Sequence, residues 1–308
     1  MNNYVNQMKA LYEDMKVYGK DSAVLFSGGL DTSIIAALNP SLPTFTICLK
    51  GTGEDLHYSK EVIKHFNLKS YHNIIEPDEA ISAIPRVVRI LKSFDPAIPN
   101  DVTAYLGLKD IKRHGYTKAV TGDASDELFG GYSFMRDIKD LETYISKITS
   151  KMSFSSNTIG VSLDLDIIQP FLKESVFKFA MSLPVEYKIR EENGVTHGKW
   201  ILRKASEKML PHSIAWQSKR PLEIGSGMTK IRSIIEGFVS DKEYNEAMNE
   251  LNIKFYNKEH YYYYKIYRLV VGEIPKPIEG EKECPGCHGG MLSDAFHCDI
   301  CGFIINGE

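Results

Sequence analysis

The feature that most constrains this chain is a Gly-rich turn between two apolar runs. The first run, residues 23–26, has the length of a short buried strand, and the second, residues 34–38, can form the first turns of a helix. At such a strand–turn–helix junction the free backbone N–H groups point towards an anion, and the helix dipole favours negative charge there. The segment therefore predicts a phosphate-binding turn, with an ordinary Gly-Gly turn as the alternative.

The side chains of this turn agree with a nucleotide ligand. Two glycines let the backbone approach phosphate oxygens, three hydroxyls can donate hydrogen bonds, and one carboxylate can hold a magnesium ion. No lysine follows the glycines, which excludes the phosphate loop of kinases and GTPases. The predicted nucleotide contacts in the turn are Ser27, Gly28, Gly29, Asp31, Thr32 and Ser33.

The rest of the N-terminal part alternates between strand and helix patterns. Apolar runs at 44–49, 70–75 and 118–121 predict strands, and periodic segments at 57–67, 81–91 and 101–114 predict helices, with a further helix over 3–18. Such alternation indicates a parallel sheet covered on both faces. From about residue 135 helical patterns dominate, at 136–150, 171–182, 198–210, 228–238 and 257–271. We therefore expect an α/β half followed by a helical half.

A second polar segment, Thr121 to Tyr132, follows the last predicted strand. It places Asp123, Asp126 and Glu127 within five residues, and carboxylates so close together call for a cation or a basic partner. Loops after parallel strands are where α/β proteins bind ligands. The alternative is an acidic first turn of a helix that only complements the helix dipole.

The Gly-rich turn resembles the pyrophosphate-binding loop of the ATP pyrophosphatase superfamily, a HUP-like fold. The acidic segment narrows the resemblance to the synthetase domain of asparagine synthetases, whose G-E-G-A-D-E-L-F-G-G-Y segment it matches. Further matches occur in the same order along residues 5–272: Phe94-Asp95-Pro96, Pro170-Phe171-Leu172, Gly198-Lys199-Trp200, Lys219-Arg220-Pro221 and Tyr262-Tyr263-Tyr264. The family's glutaminase half has no counterpart in these residues.

This resemblance implies roles for several residues. Asp31 and Asp126 would ligate magnesium on the pyrophosphate, and Lys199 would neutralise charge on the phosphates and on the intermediate. Phe26, Ile47, Thr121 and Gly122 match positions that line the ATP site. Asp123 stands where the family has Glu, at a position that helps to orient the acyl-adenylate and the amine. Ile168 and Lys173 replace the Arg and Asp that flank the family's P-F-L element, so the acceptor carboxylate stays open.

Four of the five cysteines form a separate module near the end of the chain. Cys284, Cys287, Cys298 and Cys301 make two C-x-x-C pairs, the ligand spacing of a tetrahedral zinc site, whereas Cys48 lies in a predicted buried strand. A pair of redox dithiols is the alternative. We expect a synthetase-like domain over 1–273, a linker over 274–283 and a zinc ribbon over 284–308.

These observations predict an AMP- and pyrophosphate-forming amide synthetase that uses ATP, Mg²⁺ and Zn²⁺. Its nitrogen would come from ammonia, from a separate glutaminase or from another amine. The alternatives are an enzyme that adenylates a tRNA base, with the ribbon binding the RNA, and a non-catalytic ATP-binding scaffold. The net charge of −3 gives no global reason to expect nucleic-acid binding. The absence of a leader pattern and of a long apolar run predicts a cytoplasmic protein without a membrane anchor.

Overall fold

A computed structural model describes residues 2–17, 19–192 and 194–305. Its centre is a five-stranded sheet whose neighbouring strands all pair in parallel, in the order β3-β2-β1-β4-β5. The strands are β1 (Ser22–Leu25), β2 (Thr44–Leu49), β3 (Ser70–Ile75), β4 (Lys118–Val120) and β5 (Asp166–Ile168). The strand order reverses at β1, which pairs with β2 on one side and β4 on the other, so a crevice opens there at the carboxyl edge of the sheet. This confirms the predicted α/β class.

Helices cover both faces of the sheet. In the first half these are α1 (Asn2–Leu11), α2 (Leu30–Leu38), α3 (Asp55–Phe66), α4 (Pro77–Leu91), α5 (Ile98–Arg113), α6 (Ser125–Phe129), α7 (Leu141–Thr149) and α8 (Ser155–Ser162). α4 and α5 begin four and three residues earlier than predicted, because proline near the start of a helix is favourable. The helix predicted over 136–150 is confirmed from residue 141 to residue 149 but begins later than predicted. A 3₁₀ turn, Ser133–Asp137, precedes it, and the Asp140 carboxylate caps α7.

The second half is helical, as predicted, with short helices between prolines. They are α9 (Glu174–Ser182), α10 (Val185–Lys188), α11 (Trp200–Ser206), α12 (His212–Ala215), α13 (Leu222–Gly225), α14 (Lys230–Glu236), α15 (Asp241–Glu250) and α16 (Lys258–Val270). A small antiparallel hairpin, β6 (Arg190–Glu192) with β7 (Val195–His197), precedes α11. No helix within the described ranges is long and apolar enough to cross a bilayer.

Two apolar cores lie on opposite faces of the sheet. One joins the sheet to α4, α5, α14 and α16, and the other joins it to α1, α2, α9 and α11. The four cysteines of the C-terminal module are buried in the first of these cores. The module also holds an antiparallel pair, β8 (Glu281–Glu283) with β9 (Gly290–Leu292), so that β8 lies inside the range predicted as a linker.

The cysteine module is hydrogen-bonded to the preceding part of the chain, mainly through its own backbone carbonyls. Phe94 N–H donates to Ile300 O at 2.7 Å, and Lys254 N–H donates to Gly286 O at 2.8 Å. The Tyr256 hydroxyl donates to Gly302 O at 3.3 Å. The cysteine module is therefore fastened to the loops that precede α5 and α16.

Candidate active site

The Gly-rich turn connects β1 to α2 at the reversal point of the sheet. Gly28 has φ +72°, and a Cβ atom there would lie 2.4 Å from Ser59 N, so close packing on α3 requires glycine. Ser27 Oγ and Thr32 Oγ1 lie 3.2 Å apart and both contact the turn's backbone. Gly29 is the N-cap of α2, and it has no side chain that could accept hydrogen bonds from the N–H groups of the first turn of α2. The N-terminus of α2 thus keeps donors for an external acceptor.

A cavity of about 190 Å³ opens over this turn. The predicted site residues that line it are Phe26, Ser27, Gly29, Asp31, Thr32, Ile47, Thr121, Gly122, Asp123 and Lys199. Three others lie behind its wall: Ser33 is fully buried, Gly28 accepts a hydrogen bond through its carbonyl, and Asp126 supports Lys199. The structure therefore brings most of the predicted residues to one cavity.

The two predicted metal-ligating aspartates meet at one lysine. Lys199 Nζ lies 2.5 Å from Asp31 Oδ2 and 2.8 Å from Asp126 Oδ1. Asp31 Oδ1 also accepts a hydrogen bond from Ser125 Oγ at 2.7 Å. The two carboxylates come from the first turns of α2 and α6, the helices that follow the adjacent strands β1 and β4, so one cation can contact both. This donor set fits the oxygen ligands that Mg²⁺ prefers.

Lys199 is positioned by its backbone as well as by its charge. It is the N-cap of α11 in a left-handed conformation, φ +54°, and its side chain is 3% exposed. Burial disfavours the ammonium form, but the carboxylates of Asp126 and Asp31 outweigh it and hold the pKa of Lys199 above its usual value. Burial alone would raise the pKa of Asp126, yet Lys199 and Lys219 hold that pKa below its ordinary value. Lys199 and Asp126 are therefore both charged near neutral pH.

Asp123 is held in the wall of the cavity by three hydrogen bonds. Its Oδ2 atom accepts hydrogen bonds from Thr121 Oγ1 at 2.6 Å, Ser156 Oγ at 2.6 Å and Gln169 Nε2 at 2.9 Å. Within the described residues Oδ1 has no hydrogen-bond partner. Because three donors fix one oxygen, the other is presented to the cavity in a defined orientation. Gln169 belongs to the segment where the chain departs from the family pattern.

Several residues of the cavity wall were not predicted from the sequence. Lys219 Nζ lies 2.8 Å from Asp126 Oδ2, and Gln217 Nε2 donates to Gly28 O at 3.0 Å, so the segment between α12 and α13 closes over the turn. The buried guanidinium of Arg203 also lines the cavity. The only indication of Lys219 in the sequence was that the segment Lys219-Arg220-Pro221 matches the pattern of the family that the chain resembles.

Asp55, at the first position of α3, also faces this cavity. It is 4% exposed, and its Oδ2 atom is buried without a hydrogen-bond partner within the described chain. Burial raises the pKa of Asp55 to about 7, and the nearby Arg220 offsets only part of this effect. A carboxyl group in the first turn of a helix is common, so nothing in the sequence distinguished it.

The four clustered cysteines bring their sulfur atoms together at one point. Their sulfur atoms all lie within 4.8 Å of one another, with Cys284 Sγ 3.7 Å from Cys301 Sγ and Cys287 Sγ 3.8 Å from Cys298 Sγ. A tetrahedron with zinc–sulfur bonds of ~2.3 Å has edges of ~3.8 Å. The thiol arrangement therefore fits zinc.

Comparison with known proteins identifies the family. The sequence profile of the family described as asparagine synthase matches residues 16–164 and 155–268. The chain belongs to the asparagine synthase family. That placement confirms the resemblance found in the Gly-rich turn and the acidic segment.

Several asparagine synthetases are similar to this member of the asparagine synthase family. The asparagine synthetase [glutamine-hydrolyzing] of Zea mays is 26% identical over 275 residues, covering 79% of this chain and 47% of that protein. The nodule enzyme of Pisum sativum is 27% identical over 274 residues, with the same coverages. Asparagine synthetase B of Escherichia coli is 28% identical over 295 residues, covering 85% and 52%. The chain spans about half the length of these relatives, and none of the three names concerns RNA.

Proposed function

We propose that this chain is an ATP-dependent amide synthetase that forms AMP and pyrophosphate. In the first step a substrate carboxylate attacks the α-phosphorus of ATP. The bond from that phosphorus to the bridging oxygen breaks, and pyrophosphate leaves with the electron pair. In the second step ammonia or another amine attacks the acyl carbon, AMP leaves, and the nitrogen loses a proton. The nitrogen source is free ammonia, a separate glutaminase or another amine.

The observation that carries this proposal is the convergence of Asp31, Asp126 and Lys199 beside the Gly-rich turn. The turn, with Ser27 and Thr32, would bind the outer phosphates through N–H and O–H donors. Lys199 would neutralise the negative charge that develops on the departing pyrophosphate, and a cation positioned in advance is a large catalytic contribution. Asp31 and Asp126 would hold Mg²⁺, which supplies further charge neutralisation when bound.

The other predicted site residues would bind the nucleoside, accept a proton and hold a structural ion. Phe26, Ile47, Thr121 and Gly122 would flank the nucleoside, since they line the same cavity. Asp123 would accept a proton from the attacking amine through Oδ1, because its other oxygen is already occupied by three donors. The cysteine module would bind Zn²⁺ as a structural ion.

The direct test is an assay of the products. The chain is incubated with ATP, Mg²⁺ and single amino acids, with ammonia or glutamine, and AMP and pyrophosphate are measured separately from ADP and phosphate. AMP and pyrophosphate should form in equal amounts with one carboxylate. ADP formation would refute the proposal, and ATP binding without turnover over the whole panel would favour the scaffold.

A matched pair of variants tests the site. Asp31→Asn keeps the shape of the side chain but removes the charge, so pyrophosphate release should fall by about a hundredfold or more. Asp21→Asn removes a charge from an exposed pair with Lys118 outside the cavity and should leave the rate near that of the parent chain. A rate of pyrophosphate release in Asp31→Asn equal to that in Asp21→Asn would contradict the assignment.

A further inference from the structure

A second cavity adjoins the proposed nucleotide site and has no role in the reaction described above. It holds about 500 Å³ and lies between the 3₁₀ turn, Ser133–Asp137, the strand β7 and the segment that precedes α13. Arg203, Gln217, Ser218 and Lys219 line both cavities, so they form the wall between them. The second cavity therefore begins where the first one ends.

The shared wall lies at the phosphate end of the first cavity. Gln217 is hydrogen-bonded to the carbonyl of Gly28 in the Gly-rich turn, and Lys219 is paired with Asp126. Asp123 and two of its donors, Thr121 and Ser156, mark the place where the acyl group would lie, and they line only the first cavity. A ligand that passes the wall from the nucleotide site would therefore leave from the pyrophosphate position.

All the charged residues that line the second cavity are basic. Arg136, Arg203 and Lys219 line it together with His197, and its lining contains no carboxylate. Burial lowers the pKa of His197, and the nearby charges of Arg203 and Arg136 lower it further. An anion in this cavity would relieve the repulsion among these groups.

Arg203 is the strongest indication of an anionic ligand. Its side chain is 4% exposed, and its Nε and Nη1 atoms donate to the carbonyls of Gly198, Ala215 and Gln217 at 2.9 Å. Its Nη2 atom has no hydrogen-bond partner among residues 2–17, 19–192 and 194–305, and no carboxylate of those residues lies within 4.0 Å of the guanidinium. A buried guanidinium held by three carbonyls alone keeps a charge and a donor for an external acceptor.

We propose that this second cavity binds pyrophosphate as it leaves the nucleotide site. This rests on the proposed function, which supplies pyrophosphate at the shared wall. Lys219 and Arg203 would contact the anion at the wall, and Arg136, which is exposed, would contact it at the mouth. The site would speed release of the product and make free pyrophosphate an inhibitor.

The test measures pyrophosphate directly. Inorganic pyrophosphate with Mg²⁺ is titrated into the full chain by calorimetry, and its inhibition constant is measured in the AMP-forming reaction. Arg136→Gln should weaken both constants about three- to fivefold, the effect of one solvent-facing charge on an anion. Arg136→Lys, which keeps the charge, should recover most of the affinity.

The matched control is Lys139→Gln. Lys139 is exposed three residues further along, carries the same charge and lies outside the lining of the second cavity. If Lys139→Gln weakens pyrophosphate binding as much as Arg136→Gln does, the effect comes only from the overall positive charge of this surface, and the inference is overturned. Unchanged binding in Arg136→Gln overturns it as well. Failure of the parent chain to form AMP would refute the proposed function, whereas selective loss of pyrophosphate binding in Arg136→Gln would still support this site.

Discussion

The buried carboxyl group of Asp55 should make the stability of this protein depend on pH in a defined direction. Its pKa is raised to about 7 in the folded chain, against an ordinary value of 3.8, because burial disfavours the charged form. Between these two values the folded state binds more protons at this site than the unfolded state does. The free energy of unfolding therefore falls as the pH rises through this interval, and the loss is complete above pH 7.

The size of the effect follows from the shift. Each unit of pKa difference corresponds to about 1.4 kcal/mol, so ionising Asp55 in the folded state costs about 4 kcal/mol at pH 8. Between pH 5 and pH 8 the change amounts to about 2.5 kcal/mol. Asp55→Asn has nearly the same shape and does not titrate. The variant should gain that amount of stability relative to the parent chain as the pH is raised from 5 to 8.

Urea titrations followed by far-ultraviolet circular dichroism at pH 5, 6, 7 and 8 give the required free energies. The readout is the difference between Asp55→Asn and the parent chain at each pH, so that any constant effect of the new amide cancels. Asp78→Asn is the control, because Asp78 also lies in the first turn of a helix, α4, but is exposed. Its difference should stay within about 1 kcal/mol at every pH. A difference for Asp55→Asn that does not change with pH would refute the assigned burial cost.

Two further predictions concern the ions. Lys199→Met leaves the carboxylates of Asp31 and Asp126 facing each other without their shared cation, so the free energy of unfolding should fall by about 3 kcal/mol or more. In thermal unfolding experiments, millimolar Mg²⁺ should restore part of the lost stability of this variant. Equal stability of the variant with and without Mg²⁺ would contradict this prediction. The purified chain should contain one zinc ion by elemental analysis. A strong chelator should lower the melting temperature, because the cysteine module is buried in a core shared with α4, α5 and α16. A metal-free chain with an unchanged melting temperature would count against the zinc site.

The strand–turn–helix around Gly28 could be predicted because local chemistry alone determines it. The fifth strand, β5, was missed since it has only three residues and one partner strand, β4. Lys199 was found only through the family resemblance, because a single lysine before a helix is most often solvated. Asp55 had no signal at all, since its burial is produced by a segment about 170 residues further along, where a Cβ atom on Gly225 would lie 2.1 Å from Asp55 Oδ1.

The distribution of charge between the two halves explains why the site needs both. The carboxylates of Asp31 and Asp126 come from the first turns of α2 and α6, which follow strands of the sheet, whereas the cations that pair with them, Lys199 and Lys219, come from the helical half. Two partly buried carboxylates without those cations would repel each other, and Lys199 without the carboxylates would be an unpaired buried ammonium group. Either half alone therefore carries an electrostatic penalty that docking removes. The same pairings that prepare the cavity for a nucleotide also make the folding of the two halves interdependent.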